Sequence, residues 1–404
     1  MPRLAKHRVP YTIGLAILIL AITIGAIFYG RGFKPNFKKG SIDRTGLIVA
    51  KSQPTGANVY IDGRLNNATD TNINYLEPKT YKIRIEKDGY TPWEKNVEIK
   101  ADLATEINAL LFPLAPEIKP LTITGAYNPT LSPDGSKIAY GVAGERGGLY
   151  IIPMDSNPLP FRQNNKLLAK NTLSVDYSKS RFIWNPDSRE LIARFEDENG
   201  NATANLLIDS EKSSQAANDI TASLTATLAD WQQTINERSQ TAGIAAPDQV
   251  KEATKTATLA SPSPSPSQKP SLQTKKATTE KTQPVNLNYN PTGLIFSPDE
   301  DKILYKTGNQ YKIYDLKLKK EFTLPDFPDL KSISWFPDSK HLVVAQQDLI
   351  SIIETDGYNK LTVYSGKFED GFVFAHPTAT RLVILTKLAQ PENNAPNLYS
   401  INLK

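Results

Sequence analysis

The side chains that could do chemistry are few. The chain has three histidines and no cysteine. A Ser-His-Asp relay needs an imidazole held between a hydroxyl and a carboxylate. His7 precedes a long apolar run, His341 sits inside an alternating strand, and His376 precedes a turn proline; there is no Gly-x-Ser-x-Gly elbow. The lack of cysteine removes disulfides, thiolate zinc sites and thiol nucleophiles together. "SGKF" (365–368) lacks the upstream glycine and the Ser/Thr of a phosphate loop, and reads as a loop with a lysine. The acidic loop "FEDENGNAT" (195–203) could offer oxygens of Asp197, Asn199 and Asn201 to a calcium ion. An Asn-Gly hairpin uses the same letters, so both readings stay open. Asp134, Asp187, Asp299 and Asp338 recur in one short motif and are read as turn residues. Trp184, Phe296 and Trp335 open copies of that motif and are read as packing groups before sugar platforms. Trp93 is assigned to a core or edge and Trp231 to a docked helix. Two sequons, at Asn67 and Asn201, are three-residue matches of the kind that chance produces. The expected catalytic, cofactor-binding and metal-ligating residues are none, with no cofactor and no enzymatic activity.

The elements that carry these residues repeat. "LSPDGSKIAY" (131–140), "WNPDSRELIA" (184–193), "FSPDEDKILY" (296–305), "WFPDSKHLVV" (335–344) and "AHPTATRLVI" (375–384) align without gaps. Proline presets φ for a turn, Asp bonds back to the backbone, and a hydrophobic strand follows. A second strand succeeds each, as in "GLYIIPMD" (148–155) and "QYKIYDLK" (310–317). The prolines at 298, 337 and 377 are 39 and 40 residues apart, the period of a four-stranded propeller blade. The pattern resembles TolB-type propeller repeats over 117–404, with five clear blades and room for six. The step from Pro186 to Pro298 is too long for one blade. It holds a helix-like stretch, 218–240, with Ile220, Leu224, Leu228, Trp231 and Ile235 on one stripe and Asp219 or Thr221 as cap. A Ser/Thr/Pro/Lys-rich stretch over 241–284 has too few apolar residues to offset its ordering entropy and is expected to be disordered. The pair is an insertion in the third blade or a substitute for a lost sixth.

The chain has 404 residues, 39% of them hydrophobic, and a formal net charge of +5 with no basic stripe, so nucleic acid is not an expected partner. "VPYTIGLAILILAITIGAIFYG" (9–30) carries no charged side chain. A run of about 20 apolar residues spans a bilayer core, so a transmembrane helix is expected over 11–29, behind a short cytoplasmic tail (1–10) and before a basic tether (30–44). The bulky, basic exit "IFYGRGF" argues against signal-peptide cleavage.

Residues 45–113 show short strands separated by Gly, Pro, Asn and Asp, the pattern of a small β-sandwich. Pro54-Thr55-Gly56-Ala57, then Val59-Tyr60-Ile61-Asp62-Gly63, then Gly89-Tyr90-Thr91-Pro92-Trp93 resemble the PEGA domain, with Thr55 in place of the family's Glu. The resemblance implies an envelope module for binding or spacing, without catalytic residues. The expected fold is all-β: membrane helix, PEGA-like sandwich, then propeller. The expected function is a membrane-anchored, extracytoplasmic, non-catalytic scaffold that binds another envelope protein or a cell-wall glycan. A propeller-based hydrolase or lyase is the alternative.

Overall fold

The computed structural model describes residues 8–30, 33–36, 41–154, 165–243, 287–369, 371–388 and 395–404. They divide into two compact units, Met1–Pro116 with Lys404, and Glu117–Leu403. His7 and all but the first three residues of the 241–284 stretch lie outside the described residues.

In the first unit, helix α1 spans Arg8–Gly30. Ile13, Leu18, Ile22 and Ile27 are each more than half exposed. Among the described residues no helix is long and apolar enough to cross a membrane. The transmembrane helix expected over 11–29 is therefore not supported by the structure. Within the expected tether, Phe33–Asn36 and Ser41–Arg44 pair as an antiparallel ribbon.

The sandwich follows from alternation. Gly46–Gln53 and Thr80–Glu86 bury every second side chain, the period of a strand with one face in a core. A three-stranded sheet orders Thr71–Leu76, Gly46–Gln53 and Ala104–Leu110, the last two parallel. A four-stranded sheet orders Arg64–Ala68, Asn58–Ile61, Thr80–Glu86 and Trp93–Glu98. Ile48, Val59, Ile83, Ile85, Trp93 and Ile107 close one core between them. Asp62 (φ 48°) and Gly63 (φ 79°) form the two-residue turn after the Val-x-Ile strand.

The second unit contains five four-stranded antiparallel sheets, and no sixth among the described residues. Blade one is Tyr127–Leu131, Lys137–Val142, Gly148–Pro153 and Lys166–Lys170; blade two is Arg181–Trp184, Glu190–Glu196, Ala202–Asp209 and Asn218–Asp219. Blade three is Ile295–Phe296, Lys302–Thr307, Gln310–Asp315 and Lys320–Thr323. Blade four is Ser332–Trp335, His341–Gln346, Leu349–Glu354 and Leu361–Ser365. Blade five joins Val373–Ala375, Arg381–Thr386 and Asn397–Asn402 to Ile118–Pro120, the strand that opens the unit. The two ends of the propeller are thereby knitted into one sheet, which leaves no unpaired terminal strand to fray.

Neighbouring blades bury their faces against each other. Ala139, Leu149 and Leu168 of blade one pack with Trp184, Leu191 and Ile208 of blade two. Leu304 and Ile313 of blade three pack with Leu342, Val344 and Ile353 of blade four. Ile138 and Tyr140 of blade one pack with Phe374, Val383 and Leu398 of blade five.

Blade two meets a helix on its other face. Helix α2 runs Leu224–Gly243, starting later than the expected 218, because Asn218–Asp219 is used as the fourth strand of blade two. Asp219 then accepts the amide and hydroxyl of Thr221 as the chain reverses. Ile220, Leu224, Leu228, Trp231 and Ile235 lie against Ile192, Ile183 and Leu207. The insertion falls between blades two and three, and it covers the face that a further sheet would cover.

Candidate functional site

The Pro-Asp corners are the most regular polar feature of the chain. Each begins with a turn in which the residue after the Asp position donates its amide three residues back: Gly135 to Ser132, Ser188 to Asn185, Glu300 to Ser297, Ser339 to Phe336 and Ala379 to His376. That residue has φ of 71°, 60°, 58°, 58° and 55° respectively. Only Gly135 adopts this left-handed conformation without steric cost. Ala379→Gly is expected to raise stability by about 0.5–1 kcal/mol, read as a higher urea midpoint of unfolding. Blade five supplies the cleanest test, because its side chain there is only a methyl.

The aspartates hold the corners. Asp134 accepts the Ser132 hydroxyl at 2.6 Å and the Ser136 amide at 3.0 Å. Asp299 accepts the Ser297 hydroxyl at 2.6 Å and the Asp301 amide at 3.2 Å. Burial pushes both carboxyls up, but the donors around them outweigh it and leave both below the ordinary carboxylate value. The corners also interlock. The Asp134 amide donates to Ser188 Oγ of blade two at 3.2 Å, and the Asp299 amide donates to Ser339 Oγ of blade four at 3.1 Å. Likewise Trp184 Nε1 donates to Thr130 of blade one at 3.4 Å, and Trp335 Nε1 donates to Ile295 of blade three at 2.9 Å. At blade two the partner of the corner is α2, whose Arg238 donates to the Pro186 carbonyl and the Asp187 carboxylate. Sequence reasoning found the aspartates and missed these partners. The serines of the two Pro-Asp-Ser copies were a usable signal, being present where a preceding blade could meet them.

Both described histidines are bound into corners of their own blades. His341 Nδ1 lies 2.6 Å from Asp338 Oδ2, and its amide donates to Asp338 Oδ1 at 3.0 Å. Burial pushes the Asp338 carboxyl up, but hydrogen bonds from His341 and from the Lys340 amide hold it below its usual value. A carboxyl depressed in the folded state gives stability that is full above its unfolded value and is lost as pH falls through the folded one. Asp338→Asn is expected to cost about 1–2 kcal/mol at pH 7. The gap to wild type should begin to close only as the pH falls below about 4, measured as the difference in urea midpoints. His376 Nδ1 lies 2.7 Å from Thr378 Oγ1, and Arg381 Nη2 donates to Nε2 at 3.0 Å.

The acidic loop closes on itself. Asp197 accepts the amides of Asn199 at 2.9 Å and Asn201 at 2.8 Å, and the Asn201 side chain at 3.1 Å. The Asn201 and Asn199 bonds hold its carboxyl below the ordinary value. Gly200 (φ 80°) completes the hairpin. Among the described residues no group of three or more His, Cys, Asp or Glu side chains is placed to hold a metal ion.

Two recesses lie among the described residues, one in each unit. In the propeller, about 430 Å³ is lined by Asn185, Asp187, Arg189, Glu190, Asp209 and Glu211, beside the corner of blade two. Three of its four acids are matched, by Arg238 on Asp187, Lys212 on Asp209 at 3.0 Å and Lys137 on Glu211 at 2.5 Å. In the first unit, about 460 Å³ opens beside Thr45, Tyr75, Asp102 and Leu103.

Solved structures similar to the chain include a putative TolB from Agrobacterium tumefaciens, at 13% identity over 67% of this chain and 76% of that one, with a TM-score of 0.23. TolB from Acinetobacter baumannii is similar at 10% identity over 86% of this chain and 64% of that one, TM-score 0.23. An oligogalacturonate lyase in complex with manganese is similar at 10% identity over 81% and 86%, TM-score 0.27. The blade assignment rests on the strand pairing itself. No curated protein matches the chain. The PEGA domain family model matches residues 45–114, the segment whose two sheets, Pro-x-Gly turn and Asp-Gly hairpin are described above. Residues 45–114 are a PEGA domain.

Proposed function

We propose that this chain is a non-catalytic binding or scaffold protein of the cell envelope. The PEGA domain and the propeller serve as its interaction modules, for another envelope protein or a cell-wall glycan. The observation that carries the reading is how the corner carboxylates are used. Asp134, Asp299 and Asp338 are each taken up by donors of their own corner, and Asp187 by Arg238. Groups so committed hold shape, and none of them is poised beside a free nucleophile.

The same proposal places α1 in the membrane, as a single-pass anchor with its N-terminus cytoplasmic and the bulk of the chain outside. Support comes from the sequence, in which residues 9–30 carry no charged side chain. A helix apolar all round needs an apolar surrounding. Carbonate washing of membranes should leave the full-length chain in the pellet, and protease shaving of intact cells should remove the PEGA domain and propeller. Release by carbonate, or protection equal to that of a cytoplasmic control, sinks the anchor.

The binding role is tested with the full-length chain in detergent. In-cell cross-linking should yield a discrete adduct, and a panel of peptides and glycans should show no turnover. Turnover abolished by changing His341 or Asp187 would overturn the reading.

A further inference from the structure

Arg194 lies in the second strand of blade two with 2% of its surface exposed. Its Nε donates to Glu196 Oε1 at 2.8 Å. Its two terminal nitrogens are buried and have no hydrogen-bond partner among the described residues. Asn205, directly across the ladder from Arg194, is 1% exposed, and its Oδ1 is likewise without a partner. A buried cation with two unmet donors is among the costlier things a fold can keep, since each lost water bond has to be replaced.

Strand alternation shows which way these groups face. Arg194 is two residues from Ile192, and Asn205 two from Leu207, so both share the face that α2 covers. The chain entering α2 passes beside them. The Ile220 amide donates to the Asn205 carbonyl at 2.9 Å, and the Asn205 amide donates to Thr221 Oγ1 at 2.9 Å. Arg181, opposite Arg194 on the first strand, is 72% exposed at the rim and reaches Glu196 Oε2 at 3.7 Å. Two arginines thus share one glutamate, an excess of one positive charge. The acids next along the chain are occupied, Asp197 by its own loop and Asp219 by Thr221.

We propose that Arg194 and Asn205 form a seat for a carboxylate that bears a hydroxyl or amide N–H on the neighbouring carbon. The two free nitrogens of a guanidinium match the two oxygens of one carboxylate, in the paired geometry that makes such contacts strong. The single surplus charge fits a monoanion better than a phosphate dianion. Asn205 Oδ1 accepts the adjacent donor. A hydroxy acid and the C-terminus of a peptide share this chemistry. The turn at Ile220–Thr221 is bonded to the Asn205 backbone beside the seat, so the seat fills as that turn opens and the turn then recloses over the ligand. This inference stands on the buried fork alone and does not depend on the envelope reading.

The test is the melting temperature of the full-length chain in detergent at fixed pH and ionic strength. It is titrated with lactate, with N-acetylalanine, and with acetate as the control lacking the second donor, each against chloride. Lactate or N-acetylalanine is expected to raise Tm saturably, by about 2–4 °C, and to slow amide exchange over 220–228. Whichever of the two acts more strongly identifies the source as hydroxy acid or peptide. Arg194→Met should abolish the response while leaving the ligand-free Tm equal or higher. Should that variant fail to fold, Arg194→Lys, which keeps the charge and loses the fork, should cut the response severalfold. A flat Tm, an equal rise in acetate, or a response that survives either substitution overturns the proposal.

Discussion

Gly141→Ala is expected to destabilise the propeller by about 3 kcal/mol or more, lowering Tm by about 10 °C. The reason is space. A Cβ at Gly141 would sit 2.3 Å from the Tyr177 carbonyl oxygen, 2.7 Å from its carbon and 2.8 Å from Ser178 Cα. These are backbone atoms of the short 3-10 turn Tyr177–Lys179, which leads from blade one into blade two. A flexible side chain could swing away from a new methyl; this turn cannot. Asp176 accepts the Ser178 amide at 3.1 Å and its hydroxyl at 2.7 Å. Asn171 accepts the Tyr177 amide at 3.0 Å, and Asn128 donates to the carbonyls of Ser178 and Ser180 at 3.2 and 2.9 Å. Tyr177 is itself buried in the core shared by the two blades. On the other side, Gly141 belongs to the second strand of blade one, paired on both flanks. Either the strand or the turn must move, and each is fixed by several bonds. Gly63→Ala is the useful contrast, since nothing lies within 4 Å of its Cβ and only the left-handed φ of 79° opposes it. That change should cost about 1–2 kcal/mol. If Gly141→Ala costs no more than Gly63→Ala, the tight approach between the blades is not what fixes them.

The contrast between these glycines also marks what a sequence discloses. The corners were legible because their chemistry is local. Proline, aspartate and the following strand fall within ten residues, so "LSPDGSKIAY" and "WFPDSKHLVV" announce one shape. The hairpin of the PEGA domain was legible for the same reason, with Asp62-Gly63 closing two alternating strands. Contacts between elements were not. Nothing in "GVAG" says that Gly141 faces the backbone of Tyr177. Nothing near Asp134 says that Ser188 will meet its amide. Ile118–Pro120 is too short and too exposed to declare itself the fourth strand of the last blade. Arg194 reads as an ordinary surface residue near the end of a strand, yet it is buried. The stripe on the inserted helix was readable, while the surface it would cover was not.

Trp231→Ala tests that surface, and the expected loss is about 3–5 kcal/mol. A helix of 20 residues is marginal by itself in water. What holds α2 is its apolar stripe, of which Trp231 is the largest member and is 6% exposed. It packs in the cluster that includes Ile192, Leu207, Leu228 and Leu287. The indole therefore joins the helix both to blade two and to the segment that leads into blade three. Polar contacts support the same three-way joint. Gln232 exchanges bonds with Asn288, at 3.2 Å to its carbonyl and 3.1 Å from its amide, and Tyr289 donates its hydroxyl to the Trp184 carbonyl. Arg238 ties the far end of the helix to the blade two corner. These bonds, exposed or only part-buried, are each too weak to replace the lost burial. Two outcomes can be told apart by native-state hydrogen exchange. If α2 only decorates a propeller that is complete without it, the variant should free residues 224–243 and leave Ile192 and its strand protected. If α2 stands where a sheet would stand, exchange should rise about a hundredfold or more in the helix and in the Glu190–Glu196 strand together. Blade four, whose core is shared with blade three, should be affected least. The second outcome is expected, because Ile192 is fully buried in a cluster to which the helix contributes Leu224, Leu228, Trp231 and Ile235.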